Sequence, residues 1–223
     1  VLHINDSSAR INEQFAQTGI FSFGCIHPDY DDYRAELARV KELGLKGIKL
    51  HPVYQDVDFD DIRTLRILDR AAALRLIVLT HSGLDVGFPG RVRVTPAMVQ
   101  HAVKEVGPLT LILAHMGGWR NWDEAEALLA DAPVYLDTSY SLGTLHALDD
   151  GYYKPEDLPM LSQEQFLRMV HTFGPHRFLF GTDSPWGDQS QGVERIRSLP
   201  FTEEEKAAIL GGNAQKLLQF PEI

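Results

Sequence analysis

Three histidines and one aspartate each follow a short apolar run that has the composition of a buried strand. His51 follows Ile-Lys-Leu, His81 follows Val-Leu-Thr, His115 follows Ile-Leu-Ala, and Asp183 comes after Phe-Gly-Thr. Imidazole nitrogen and carboxylate oxygen suit a borderline divalent cation such as Zn²⁺, and a catalytic zinc site keeps one coordination position open for water. The four residues therefore predict a hydrolytic metal site, provided that the fold brings the strand ends together.

The same four residues supply a complete scheme for hydrolysis. A bound metal ion would lower the pKa of its water, Asp183 would take the remaining proton and pass it to a leaving group, and a second imidazole would polarise the substrate carbonyl. A single histidine at a strand end is more often a hydrogen-bonded structural residue than a ligand. The prediction therefore depends on the four residues occurring together.

Lys49 lies two residues before His51, so both side chains project from one face of the same strand. A lysine inside a barrel needs a partner. It could neutralise a carboxylate, bind an acidic substrate or be carboxylated as a metal bridge. We favour the first two, and we treat Lys49 and His51 as candidate substrate-binding residues.

Two loops that follow predicted strands carry a tryptophan beside glycine, in Gly117-Gly-Trp-Arg120 and Ser184-Pro-Trp-Gly-Asp188. Glycine lets the backbone come close to a ligand, and a tryptophan with a nearby arginine offers a flat wall and an anion clamp. Trp119, Arg120 and Trp186 are therefore candidate substrate-binding residues. The alternative is that the two tryptophans simply pack beneath their loops.

The cysteine, Asp137 and the remaining histidines receive structural interpretations. Cys25 lies inside the apolar run 20–26, which is typical of a small core residue. Asp137 ends another run and is predicted to accept structural hydrogen bonds, with contact to substrate as the alternative. No role is predicted for the other histidines, which are His3, His27, His101, His146, His171 and His176.

Short apolar runs alternate with longer segments of helical periodicity, which is typical of βα units around a parallel sheet. The runs are Ile20–Ile26, Gly47–Leu50, Leu76–Thr80, Leu109–Ala114, Val134–Asp137 and Arg177–Gly181. We therefore predict an α/β fold of the (β/α)8 TIM-barrel type, whose strand ends converge on one mouth. A doubly wound sheet is the competing architecture, and the lack of a glycine-rich phosphate motif after any run disfavours it.

Other segments predict helices and one further strand. The spacing of apolar residues predicts a helix over Asp31–Leu43, Thr202 and Glu205 have capping-box spacing, and a short helix is expected over Ala214–Leu218. Val1–Ile4 has the composition of the tail of another buried strand, which gives seven strands in all. We therefore expect residues 1–223 to form a single barrel domain that lacks its first strand.

The composition narrows the classes of function. With 223 residues, 44% hydrophobic and 23% charged, the chain fits one globular domain with a sizeable core. A formal charge of −10 and a pI near 5.3 disfavour nucleic-acid and membrane partners, and a small-molecule substrate remains. A single cysteine excludes an intrachain disulfide and fits a cytoplasmic setting. A homodimer is the default assembly because closed two-fold symmetry is the commonest arrangement.

Four motifs together resemble the amidohydrolase-2 branch of the amidohydrolase superfamily, which includes aminocarboxymuconate-semialdehyde decarboxylase and related hydrolases. They are Gly47-Ile-Lys-Leu-His-Pro52, Thr80-His-Ser-Gly83, Ala114-His-Met-Gly-Gly118 and Gly181-Thr-Asp-Ser-Pro-Trp186. The resemblance implies that His81 binds the metal at strand five and that His115 is the catalytic histidine of strand six. It implies that Asp183 binds the metal and shuttles a proton at strand eight. The implied cofactor is a divalent metal, Zn²⁺ by expectation and Mn²⁺ as the alternative.

One family feature is absent from the sequence. Family members carry a His-x-His pair at the end of strand one, and no His-x-His occurs here. His81 and Asp183 alone fall short of the protein ligands usual for catalytic zinc, so we expect the rest on a first strand upstream of Val1. The predicted function is metal-dependent hydrolysis of a small, carboxylated substrate. The alternatives are a metal-dependent decarboxylase of the same family and an inactive barrel that only binds.

Overall fold

A parallel sheet runs through the computed structural model, which describes residues 1–143 and 154–219; His146 lies outside them. In these residues six strands pair in chain order. They are β1 (Gly24–Cys25), β2 (Gly47–Leu50), β3 (Ile77–Thr80), β4 (Leu111–Leu113), β5 (Val134–Asp137) and β6 (Phe178–Leu179). Each lies inside an apolar run that predicts a strand, so the six predicted strands are confirmed.

Ten α-helices accompany the sheet in the same residues. They are α1 (Leu2–Phe15), α2 (Tyr33–Glu42), α3 (Pro52–Gln55), α4 (Ile62–Ala73), α5 (Pro96–Val106), α6 (Trp122–Leu129), α7 (Gln163–Phe173), α8 (Gln189–Ser198), α9 (Glu203–Ala207) and α10 (Asn213–Leu218). The helices predicted from the sequence are α2, α9 and α10, and the capping box of Thr202 and Glu205 starts α9 as expected. No described helix is both long and apolar enough to cross a membrane.

Side chains of the strands alternate between two apolar cores, as the two-residue period of a strand requires. The outward set packs against the helices and includes Ile48, Val78, Leu111, Val134 and Phe178. The inward set is Ile77, Ile112 and Leu179, and it packs against Leu217 and Leu218 of α10. α10 packs on the inner core at the amino ends of the strands. The carboxyl ends are therefore open for a site.

The segment Val1–Ile4 starts a helix, with Val1 as the N-cap of α1, which corrects the prediction that it is the tail of a strand. The backbone N–H groups of Ile4 and Asn5 donate to the Val1 carbonyl at 3.0 and 3.1 Å, and α1 continues from there. Leu2 and Ile4 are 49% and 54% exposed, so this apolar run is not a core strand. An apolar run of this length fits a strand or a helix equally well. The described sheet therefore has six strands, not the seven counted from the sequence.

A polar stripe on α1 covers the edge of β1 where another strand would pair. The Asn5 side chain imitates a strand, because its amide nitrogen donates to the Cys25 carbonyl at 3.0 Å and its oxygen accepts the Cys25 N–H at 2.7 Å. Ser8 donates to the Phe23 carbonyl at 3.0 Å, and Asn12 makes a similar bond further along the helix. An unpaired strand edge is a template for association with other chains, so this stripe protects the edge.

We predict that Asn5→Ala lowers the free energy of unfolding by about 3 kcal/mol, because the Cys25 N–H and carbonyl lose their partners. Urea unfolding at neutral pH measures the change. Gln14→Ala, at an exposed position of the same helix, is the matched control and should cost less than about 0.5 kcal/mol. Equal losses in the two variants would show that Asn5 does not satisfy the edge.

Candidate active site

A cavity of about 460 Å³ opens at the carboxyl ends of the strands. Its lining brings together Lys49, His51, His81, His115, Asp183 and Trp186, all of them candidates from the sequence, and adds Tyr54, Asp85 and Tyr140. A larger cavity of about 890 Å³ lies at the amino ends, lined by residues such as Lys46 and Leu76. Barrel enzymes keep their chemistry at the carboxyl ends, so the smaller cavity is the candidate site.

In-register pairing of the strands places two imidazoles side by side, and a third lies next to them. Leu50 of β2 pairs with Thr80 of β3, so the next residues, His51 and His81, leave the sheet side by side. Their rings stack with centroids 4.5 Å apart and planes 10° apart. His115 follows β4, and its ring lies 4.9 Å from that of His81. The fold thus achieves the convergence that the sequence predicts.

Asp85, which the sequence analysis missed, completes a cluster of side chains that could hold a metal ion. One nitrogen each of His51 and His81 and one carboxylate oxygen of Asp85 lie within 4.8 Å of one another. Asp85 Oδ2 is 3.4 Å from His51 Nε2 and 3.9 Å from His81 Nε2. The chain approaches this point through Gly83, whose φ is +81° and where a Cβ would meet the Trp119 backbone nitrogen at 2.3 Å. The only sign of Asp85 in the sequence is its position four residues after His81. That spacing does not show whether the loop brings the carboxylate back to the histidines.

This set of donors fits a divalent cation. His81 Nε2 is buried and has no hydrogen-bond partner among the described residues. A buried polar atom without a partner is costly, and a cation at the cluster would supply one. Two nitrogens and one oxygen match the donor types and the number of protein ligands of a catalytic zinc site. Asp183 lines the same cavity outside this cluster, so its role as a ligand stays a prediction.

Burial keeps the imidazoles neutral, which is the form that binds a metal. It lowers the pKa of His51 to about 4 and the pKa of His81 to about 2, and neighbouring positive charge adds to both effects. Burial also lowers the pKa of His115, against the attraction of Asp137 and Asp183. The pKa of the Asp85 carboxyl is raised by burial, and a bound cation would oppose that shift.

His115 is held through its ring and through its backbone. Its Nε2 lies 3.1 Å from His81 Nδ1, and its Nδ1 lies 3.0 Å from Ser139 Oγ. The backbone N–H of His115 donates to Asp137 Oδ1 at 3.0 Å, which confirms Asp137 as a structural acceptor. Ser139 was missed, because a serine two residues beyond a strand carries no signal of its own.

Lys49 lies on the inner face of the sheet, in register with Cys25 on one side and Leu79 on the other. Burial lowers the pKa of Lys49, while the charges of Asp137 and Asp183 oppose that shift. The described residues place no carboxylate in direct ion-pair contact with Lys49, which lines the cavity. Burial also raises the pKa of the neighbouring Cys25 thiol, which disfavours a reactive thiolate; Cys25 is only partly buried and lies in neither apolar core, so its prediction as a core residue is not confirmed.

Trp119 and Arg120 lie beside the cavity and not on it. Trp119 is 2% exposed, and its indole N–H donates to the Pro159 carbonyl at 3.1 Å. The Arg120 guanidinium lies over the Trp119 ring, 5.5 Å from its centroid. Both residues border a hollow of about 280 Å³ that Asp85 also lines. Trp119 therefore packs beneath its loop, and contact with substrate stays a prediction for both residues.

The family model described as amidohydrolase matches residues 3–220 of the chain. The match spans the four motifs that carry the predicted resemblance, which is thereby confirmed. Among curated proteins, no sequence matches the chain.

Solved structures share the fold at low sequence identity. An uncharacterized TIM-barrel protein from Bordetella bronchiseptica is 20% identical with a TM-score of 0.76, covering 96% of this chain and 72% of that one. A dihydroxybenzoic acid decarboxylase from Polaromonas, with bound manganese and 2-nitroresorcinol, is 18% identical with a TM-score of 0.62 (96% and 75%). A putative 2-pyrone-4,6-dicarboxylic acid hydrolase from Pseudomonas putida is 19% identical with a TM-score of 0.61 (90% and 73%). These likenesses confirm the TIM-barrel fold class.

We predict that the metal-free protein loses stability as the pH falls from about 6.5 toward 4. The pKa of His51 is about 4 in the folded protein and about 6.5 in an unfolded chain. As the pH falls, His51 of the unfolded chain is therefore protonated before His51 of the folded protein. The stability that neutral His51 contributes above about pH 6.5 is lost as the pH falls toward about 4. Between about pH 7 and about pH 5, His51 accounts for a loss of about 2 kcal/mol in the free energy of unfolding.

Urea unfolding in the presence of a chelator, at these two pH values, measures this loss. His51→Gln should reduce the pH-dependent loss in the free energy of unfolding by about 2 kcal/mol. His3→Gln, at an exposed position of α1, should leave that loss unchanged. The same loss in wild type and His51→Gln would contradict the assignment.

Proposed function

Because this chain belongs to the amidohydrolase family, we propose that it is a metal-dependent hydrolase that uses a metal-activated water on a small, carboxylated substrate. One observation carries the proposal. The donor cluster of His51, His81 and Asp85 lies in the same cavity as Asp183 and His115. Ligands and acid–base groups are therefore within reach of one small molecule.

His51, His81 and Asp85 would hold the cation, for which we propose Zn²⁺, with Mn²⁺ as the alternative. When bound, such a cation lowers the pKa of water toward neutrality and polarises a carbonyl. Asp183 is exposed to the cavity, where its carboxylate takes a proton and returns it to the leaving group. His115 lines the same cavity and is the second proposed acid–base group, taking a proton at Nε2 in place of the hydrogen bond from His81.

The lining of the cavity supports a small, acidic substrate. A volume of about 460 Å³ suits a small molecule. Lys49 and Trp186 line the cavity, and a substrate carboxylate would be a partner that favours the charged form of Lys49. A longer substrate would extend into the neighbouring hollow beside Trp119 and Arg120.

A metal-dependent decarboxylase is the second candidate, because the fold is shared with a dihydroxybenzoic acid decarboxylase. The same residues would serve, with Lys49 binding the carboxylate group. A panel of aromatic and aliphatic acids, esters and amides in ¹⁸O-labelled water separates the two activities. Incorporated ¹⁸O in the product supports hydrolysis, while released carbon dioxide without incorporation supports decarboxylation. Binding of several acids without turnover of any would favour the inactive barrel.

We predict that Asp85→Asn and Asp183→Asn fail in different ways. Asp85→Asn should lower Zn²⁺ content and should lower affinity by more than the roughly 10- to 100-fold typical of a lost outer-shell partner, because a direct donor of the cluster is lost. Asp183→Asn should keep the metal and lower kcat at least about 100-fold, because the proton acceptor is lost. Metal analysis by mass spectrometry and steady-state kinetics measure the two effects. Asp123→Asn, whose side chain is 84% exposed on α6, should change neither. Loss of metal in Asp183→Asn alone would make Asp183 the ligand and Asp85 a bystander.

We predict that Lys49→Met raises the KM for a carboxylated substrate about 10- to 100-fold, because a charged hydrogen bond contributes about 1.5 to 3 kcal/mol. The KM for the neutral amide of the same substrate should change little. Lys46→Met, at an exposed position just before β2, is the matched control. Equal effects on the acid and the amide would exclude Lys49 as the carboxylate partner.

A further inference from the structure

Asp137, Ser139, His115 and His81 form a continuous chain of hydrogen bonds that ends at the candidate metal cluster. Ser139 Oγ lies 2.5 Å from Asp137 Oδ1 and 3.0 Å from His115 Nδ1. His115 Nε2 lies 3.1 Å from His81 Nδ1. The remaining nitrogen, His81 Nε2, is buried and has no partner among the described residues. Ser139, His115 and His81 are 5%, 5% and 6% exposed, so bulk water competes little for these bonds.

The Asp137 carboxylate determines which group donates and which accepts in the bonds of Ser139 with Asp137 and with His115. An ionised aspartate only accepts, so the single hydroxyl proton of Ser139 is donated to Asp137. Ser139 Oγ must then accept from His115, which places the His115 proton on Nδ1. Asp137 Oδ1 also accepts the backbone N–H groups of His115 and Ser139, at 3.0 and 2.9 Å, and this fixes its orientation as an acceptor.

Burial also decides which ring donates in the hydrogen bond between His115 and His81. A charged imidazole is costly in a site that excludes water, so His115 holds one proton and its Nε2 is an acceptor. The contact between the two rings is then a bond from His81 Nδ1–H to His115 Nε2. The lone pair of His81 remains on Nε2, 3.9 Å from Asp85 Oδ2.

We propose that Asp137 and Ser139 are positioning residues that fix His81 as its Nδ1–H tautomer, so that Nε2 is presented without a proton to a cation. The inference rests on the proposed function only in taking a metal ion as the ligand of that nitrogen. The tautomer itself is a property of the metal-free protein. Hydrogen-bond partners of the nitrogen that does not bind the metal typically change metal affinity about 10- to 100-fold.

Long-range ¹H–¹⁵N NMR correlations of the metal-free protein distinguish the two neutral tautomers of each imidazole. We expect His81 and His115 both to carry their proton on Nδ1. A proton on Nε2 of either ring would overturn the proposal, whatever the activity of the enzyme. Expected tautomers together with no Zn²⁺ binding would instead remove the proposed function and leave the hydrogen-bond chain in place.

Ser139→Ala tests the link between the chain and metal binding. We expect His115 to lose its preference for Nδ1–H, and Zn²⁺ affinity, measured by competition with a chelator, to fall about 10- to 100-fold. Ser141→Ala is the matched control, because Ser141 is equally buried but donates to the Thr138 carbonyl at 2.6 Å. Unchanged Zn²⁺ affinity in Ser139→Ala would overturn the link. If this variant does not fold, the tautomers of the wild-type protein still decide the proposal.

Discussion

Parallel pairing in register, from β2 through β4, determines where the side chains of the candidate site leave the sheet. Leu50, Thr80 and Leu113 are aligned across three neighbouring strands, so the chain leaves the sheet at the same level three times. Side chains that follow such a row face the same mouth, and they do so whatever the loops beyond them contain. The stacked rings of His51 and His81 are a direct result of this alignment, whereas His115 lies one residue beyond the level of His81 and reaches it at a φ of +61°. Burial at this position lowers the pKa of His51, His81 and His115, which keeps the three rings neutral.

The parts of the fold that could be predicted from the sequence depend on short-range patterns. Apolar runs of β2 and β5 predicted the strands to the residue, because such runs have few other uses in a βα repeat. Strand-end residues were predictable for the same reason, since the position of His81 relative to the mouth follows from the strand alone. Val1–Ile4 was misassigned because so short an apolar run does not distinguish helix from strand, and the deciding bonds of Asn5 join it to a segment some 20 residues away.

The rest of the site depends on how loops fold, and short patterns do not report this. Asp85 reaches the cluster through the turn at Gly83 and the close approach of the segment containing Trp119. Ser139 matters only because it lies between Asp137 and a ring that follows a different strand. This arrangement leaves His81 Nε2 buried and without a hydrogen-bond partner among the described residues. Such atoms weaken the fold when they stand alone, and they favour any ligand that satisfies them.

The two ends of the sheet have separate tasks. At the amino ends, Leu217 and Leu218 of α10 pack against the inner core, while the candidate site occupies the carboxyl ends. Insertions or substitutions in the loops that follow the strands would therefore leave this apolar packing intact. Selection for a new substrate can act on one end of the molecule without an obligatory loss of stability at the other. This separation gives the scaffold evolutionary latitude, since its chemistry can diverge while the packing that keeps it folded is inherited unchanged.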